Sequence, residues 1–321
     1  MSNLERHPGE VVLATGDTHC VEILVPREVP LGGPRAMTVR RTLPQRARSL
    51  VGAWCFLDHY GPDDVTRTGG MRVAPHPHTG LQTVSWLFSG EVEHRDSAGH
   101  HAIVRPGELN LMTAGRGISH SEVSTAGTSV LHGAQLWVAL PESARETDPG
   151  FEHYAPPLLE GEGWRARVFL GSLLGQTSPV RAFTELVGAE LLLDAGAEVV
   201  VPVDPGHEHA VLVDDGGVHL DGREVARHEL GYVGTGASSL TLQSTGGSRL
   251  LLLGGRPLGE QIVMWWNFVG RTHEEVVEYR AQWQRLLEEG ADTGRFSLPA
   301  GDPLAPIPAP GLPNARLRSR G

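Results

Sequence analysis

The chain has 321 residues, of which 40% are hydrophobic and 20% charged, and a formal net charge of −11. That length points to two domains, the acidic balance argues against the broad basic surface that unaided DNA or RNA binding needs, and no apolar run is long enough to cross a bilayer. With no basic-plus-apolar leader at its start the protein is expected in the cytoplasm, and the 2 cysteines, Cys20 and Cys55, are expected there as buried thiols without a disulfide.

Forty-one glycines and twenty-three prolines punctuate short apolar runs, as tight turns between many strands require. In the first part, residues 11–13, 21–25, 37–40 and 50–54 read as strands. Residues 56–62 (Phe-Leu-Asp-His-Tyr-Gly-Pro) break that rhythm and read as a turn or as part of a pocket rim, with a turn favoured. Residues 81–88 form a β-branched and aromatic run closed by Ser89-Gly90; residues 91–96 and 103–112 continue the pattern, the latter through a Pro106-Gly107 turn. His94, His100 and His101 have charged or small neighbours and are expected to be exposed. A long strand over 130–140 carries His132, Gln135 and Trp137 and ends at Pro141.

Residues 141–163 lack a clear period and are placed as the connection between domains. Beyond them, 166–170, 190–193, 198–201, 210–213, 240–242 and 250–253 are spaced like the strands of the first half, and Asp221-Gly222 is a two-residue hairpin signal. Thr272 with Glu275 forms a capping box, and Val276, Tyr279, Trp283, Leu286 and Leu287 follow at helical spacing, which predicts one amphipathic helix packed on a β-core. Trp265, Trp266 and Phe268 just before it are assigned to core packing. The chain is therefore read as all-β: residues 1–140 as one domain, 141–163 as the connection, 164–290 as a second domain with a helix over 272–289, and 291–321 as a proline-rich arm or frayed tail.

Two short stretches carry the chemistry. Side chains two apart on a strand share a face, so His76 and His78 in Pro75-His76-Pro77-His78 project together, as do His120 and Glu122 on their own strand. Two such pairs facing each other would offer three imidazoles and a carboxylate, a set suited to a borderline first-row ion such as iron, copper, nickel or zinc. A second His-x-His, His207 and His209, also precedes a strand; no imidazole falls in 238–244, where a partner strand would supply one, and His228 is the spare candidate. The pair is read as structural or vestigial, leaving one metal per chain.

Val39-Arg40-Arg41-Thr42-Leu43-Pro44, Phe56-Leu57-Asp58-His59-Tyr60-Gly61-Pro62, His76-Pro77-His78-Thr79-Gly80, Met112-Thr113-Ala114-Gly115-Arg116-Gly117-Ile118-Ser119-His120-Ser121-Glu122 and His132-Gly133-Ala134-Gln135-Leu136-Trp137 together resemble the pirin family. The resemblance implies two tandem cupin barrels, that is, double-stranded jelly rolls, with one metal in the first barrel held by His76, His78, His120 and Glu122. Fe(II) is the first expectation for that metal, and Cu, Ni, Mn, Co or Zn are compatible. Where pirins often carry a glutamate four residues after the second histidine this chain has Gln82, which implies altered tuning around the ligands. Several pirins resemble quercetin 2,3-dioxygenases, which implies a flavonol and dioxygen as substrates, Glu122 as catalytic base, and Asp58, His132 and Gln135 as pocket or supporting residues. The alternative that the resemblance carries is a non-enzymatic, redox-responsive iron protein acting on a protein partner.

Overall fold

The computed structural model describes residues 20–30, 37–290 and 294–321; the strand expected at 11–13 lies outside them. Two β-barrels follow one another, each built from a large and a small antiparallel sheet. In the first, the large sheet runs Gly150–Tyr154, Leu109–Thr113, Leu81–Ser89, Val130–Ala139, Trp54–Asp64, Thr38–Leu43, Arg27–Pro30, and the small sheet runs Arg72–His78, Ile118–Ser124, Val92–Asp96, His101–Val104. In the second, the large sheet is centred on Glu208–Asp215, Ser248–Gly255 and Leu186–Leu193, and the small sheet on Glu198–Pro202 and Ser239–Gln243. This is the two-cupin architecture, with the expected helix attached.

Runs such as Leu250 to Leu253 are apolar at every position because the two large sheets lie face to face and have no wet side. Leu250 and Leu252 point into the second barrel beside Val211 and Val213, whereas Leu251 and Leu253 join Leu57, Leu136, Trp86 and Phe169 in a core shared by both barrels. Trp86 and Phe169 stack across that junction with centroids 4.5 Å apart, and the Trp54 indole donates to the Gly254 carbonyl at 3.0 Å. At the Asp221-Gly222 hairpin both residues have positive φ, 48° and 80°, as a tight turn between Val218–Leu220 and Arg223–Val225 requires.

Several sequence-based boundaries shift. Glu22–Leu24 pairs with Leu230–Val233 and so adds to the second barrel, not the first. Gly150–Tyr154, expected within the connection, is the edge strand of the first barrel against Leu109–Thr113; its alternating apolar residues were hidden among Glu, Pro and Gly. Residues 56–62 are no turn, since they continue one strand, Trp54–Asp64, whose Phe56, Asp58 and Tyr60 face a cavity. Cys55 is fully buried, its thiol pushed up to about 12 by burial, but Cys20 is exposed at the start of the described chain.

The helix His273–Glu289 starts at Thr272, whose hydroxyl accepts from Glu275 N while the Glu275 side chain accepts from the cap backbone, and it ends at Gly290 in the left-handed region. Its buried face, Val276, Tyr279, Trp283 and Leu286, packs on Val263, Phe268, Phe296 and Ala309. The following arm is ordered along the first barrel's small sheet: Ser119 Oγ donates to the Ser297 carbonyl, Ser121 Oγ to Asp302, and Ile307 N to the Pro75 carbonyl. The arm thus lies along the strands that carry the histidines through Ser297, Asp302 and Ile307, and then returns over the helix and residues 261–262 through Arg316, Leu317, Ser319 and Arg320.

Candidate metal centre

Antiparallel pairing sets His120 opposite His76 and Ile118 opposite His78, with the register shifting between His120 and Glu122. All three imidazoles are buried, and one nitrogen of each lies within 4.8 Å of the others. Each ring has its Nδ1 engaged: His76 Nδ1 faces the Ala74 carbonyl at 2.9 Å, and His78 Nδ1 the Asn267 carbonyl at 3.2 Å. Carbonyls only accept, so both rings carry their proton on Nδ1 and present a lone pair at Nε2.

His120 is set by a longer chain. The Asp96 carboxylate accepts from His94 Nε2 at 3.2 Å, which leaves His94 Nδ1 to accept from His120 Nδ1 at 3.3 Å. That leaves His120 Nε2 with a lone pair, 3.1 Å from His78 Nε2, which has one too. Two imidazole lone pairs held this close repel unless a cation lies between them, and their fixed tautomers are those of a nitrogen-ligand site. Burial pushes His76 down to about 4 and holds His78 and His120 well below the usual imidazole value, which favours the neutral rings. Although burial opposes it, hydrogen bonds from His94 and His100 hold Asp96 below the usual carboxylate range.

Glu122 lies beside this trio but groups by distance with His120 and His94 instead of with His76 and His78. Its carboxyl is buried and pushed up by that burial, with only a 3.3 Å contact from the Ser85 hydroxyl acting the other way among its hydrogen bonds. Ser85 also reaches Gln135 Oε1 at 2.9 Å. Above these groups opens a cavity of about 620 Å³ lined by all four residues, Gln135, Asp58, Phe56 and Trp137. Phe56 and Trp137 stack with centroids 4.0 Å apart, and Asp58 is fixed at the wall by two 2.7 Å bonds from Arg41. The roof comes from the other end of the chain: Met264, Trp265, Trp266, Asn267 and Ile307.

Asp58 and Gln135 therefore reach the cavity, but His132 does not. On Val130–Ala139, His132 shares the face of Ala134 and Leu136, which turns toward the second barrel, and its Nε2 meets Asp214 Oδ1 at 2.6 Å beside His59 Nε2 at 2.7 Å. An odd separation from Gln135 on one strand already placed the two on opposite faces. His94, expected at the surface, is only 4% exposed; in Val92–Asp96 it alternates inward with Val92 and Asp96. His101 is exposed as expected, and His100 is intermediate. Gln82 is buried away from the cavity on Thr113 Oγ1 and the Arg181 carbonyl, so it does not tune the ligands directly. Trp265 and Trp266 are roof residues more than core, while Phe268 is core as read. Ser85 and the Arg41 partner of Asp58 went unread; both sit at inward positions of their strands, the signal that would have found them.

Residues 36–138 match the family described as Pirin, and residues 188–287 match the Pirin C-terminal cupin domain. The chain belongs to the pirin family. This pirin is 41% identical over 293 residues, 91% of each chain, to a Pseudomonas aeruginosa protein that carries a provisional quercetin 2,3-dioxygenase name. It superposes with a TM-score of 0.86 and 38% identity on a crystal structure of quercetin 2,3-dioxygenase from Acinetobacter baumannii, covering 93% of this chain and 97% of that one. A bacterial pirin from Escherichia coli, crystallised in complex with nickel(II), shares the fold at 18% identity and a TM-score of 0.59, over 74% of this chain and 100% of that one. No helix among the described residues is long and apolar enough to cross a membrane.

Proposed function

We propose that this pirin is a metal-dependent dioxygenase that opens the central ring of flavonols such as quercetin with O2 and releases carbon monoxide. The observation that carries the reading is the convergence of three Nε2 lone pairs, each fixed by its own Nδ1 partner, beside a buried carboxyl at the foot of an aromatic-walled cavity. The cavity volume falls in the range of about 300–1,000 Å³ usual for small organic ligands. His76, His78 and His120 would hold one divalent cation with Glu122 as fourth ligand, Fe(II) first among the candidates. When bound, that cation supplies Lewis acidity that favours the ionised 3-hydroxyl of a flavonol. Names given to relatives, quercetin 2,3-dioxygenase, and the nickel(II) complex of a distant pirin agree with this chemistry.

The chain's own groups have separable tasks. Glu122, raised by burial, is the stronger base for it and takes the 3-hydroxyl proton; Ser85 then donates to the carboxyl or to Gln135. Phe56 and Trp137, stacked on each other, give the cavity an apolar wall for the fused rings, and Trp265 and Trp266 add aromatic lining from the other end of the chain. The test is metal analysis of anaerobically purified protein together with turnover on a flavonol panel. One equivalent of metal, lost in His120→Ala, with oxygen-dependent flavonol consumption, is expected; metal retained in full by His120→Ala would reject the ligand set.

A further inference from the structure

The second barrel has its own cavity, about 510 Å³, and at its polar end stand His207 and His209. We propose that this cavity, already read as holding no metal, binds a small neutral phenol, or a molecule presenting an equivalent aromatic hydroxyl, through His209. The proposal is independent of the reading of the first barrel.

The two His-x-His pairs differ in three ways. First, His76 and His78 close a small-sheet strand that faces Ile118–Ser124, whereas His207 and His209 open the large-sheet strand Glu208–Asp215, with no imidazole on the corresponding Ser239–Gln243. Second, among the described residues neither belongs to a group of three or more converging His, Cys, Asp or Glu donors, and His228 lies near His59 at the barrel junction, with centroids 5.3 Å apart. Third, each histidine of the first site has Nδ1 tied to a partner, but the Nδ1 of His209 is buried and has none. A ring without an outer acceptor is not prepared as a metal ligand.

The same features suit a hydroxyl. His209 is 1% exposed, and its buried Nδ1 has no hydrogen-bond partner among the described residues. Burial pushes its pKa down to about 4, which keeps the ring neutral at pH 7. Nearby, His207 Nε2 lies 3.5 Å from Glu185 Oε2, and Glu185 and Asp204 both line the cavity. An imidazole N–H beside carboxylate acceptors reads a group that both accepts and donates, which a phenol does. The remaining wall, Leu173, Val180, Leu186, Val187 and Val203, supplies apolar surface for the ring. The Thr184 hydroxyl, at the same wall, is also buried without a partner.

The test uses 4-fluorophenol as probe and fluorine NMR on the full chain with its metal bound, comparing wild type with His209→Leu, which removes the donor, and Ala182→Trp, which fills the cavity from its lining loop. Saturable binding that weakens about tenfold in His209→Leu, the size of one hydrogen bond, and vanishes in Ala182→Trp is expected, with thermal melts showing both variants folded. Equal binding in all three would place the phenol elsewhere and overturn the proposal. So would a second equivalent of zinc or nickel held by wild type and lost in His209→Leu, or tighter binding of 4-fluorobenzylamine than of the phenol at the same residue.

Discussion

Asp96 touches no ligand-binding atom, yet through His94 it decides which nitrogen of His120 carries the proton. Removing such an outer partner usually costs 10–100-fold in metal affinity while every ligand remains. His94→Leu is therefore expected to lower affinity by about that factor in a competition titration with a chelator; unchanged affinity would mean that His120 orients itself. At this scale the sequence was legible where strand alternation and residue type agreed. His76, His78 and His120 stand out because two imidazoles at spacing two have few other uses facing a second such pair. His94 was misread because Glu93 and Arg95, its charged neighbours, point the other way, and His132, named on the family resemblance, lies across the strand from Gln135. Trp265 and Trp266 have no periodic signal for a roof so far along the chain from the Phe56 and Trp137 walls.

Among the elements, the C-terminal helix was the most legible, because its capping box and its 3.6-residue stripe are local signals. What the helix holds in place was not. Trp283 is fully buried, stands edge-on to Phe296 with centroids 5.9 Å apart, and donates from Nε1 to the Ile307 carbonyl at 2.8 Å, so it pins the arm whose Ile307 lines the cavity. Trp283→Ala is expected to destabilise the protein by about 3–5 kcal/mol in denaturant titrations. A loss below about 1 kcal/mol would show that the helix and arm contribute little to the folded state. An arm of alternating prolines carries no period from which docking on the Ile118–Ser124 strand could be read; its bonds go largely to single backbone carbonyls and hydroxyls.

For the whole molecule, two barrels were visible in the doubled strand pattern, but their face-to-face junction was not, since a run buried on both sides looks the same in one barrel as in two. The junction has a polar centre. Asp214 is fully buried and accepts from His59 and His132 of the first barrel and from Arg249 of the second. Burial opposes its ionisation, yet those imidazole bonds outweigh it and hold the carboxyl well below the usual range. Asp214→Ala would strand these donors in the interior and is expected to cost about 3–5 kcal/mol by chemical denaturation; a cost under 1 kcal/mol would make the clasp incidental. The histidines also set an acid limit. Burial lowers His59, His76 and His209, so below about pH 6.5 the unfolded metal-free chain binds protons that the folded one refuses. Stability of the metal-free protein should fall as pH drops from about 6.5 to 4, by up to roughly 3 kcal/mol for a single buried histidine shifted that far. A flat or rising profile over that window would contradict the burial of neutral rings.

The claim that the first barrel catalyses flavonol cleavage with Glu122 as base is tested most directly by carbon monoxide release. Wild type and Glu122→Gln, both loaded with excess Fe(II), are given quercetin and O2, and the headspace is measured. The account predicts one carbon monoxide per quercetin consumed by wild type and a rate lower by about 10²-fold or more in the variant, the scale of a deleted general base. No carbon monoxide from metal-loaded wild type on quercetin, or equal rates from the two proteins, would contradict it; the former would leave redox sensing at the same ligands as the better reading.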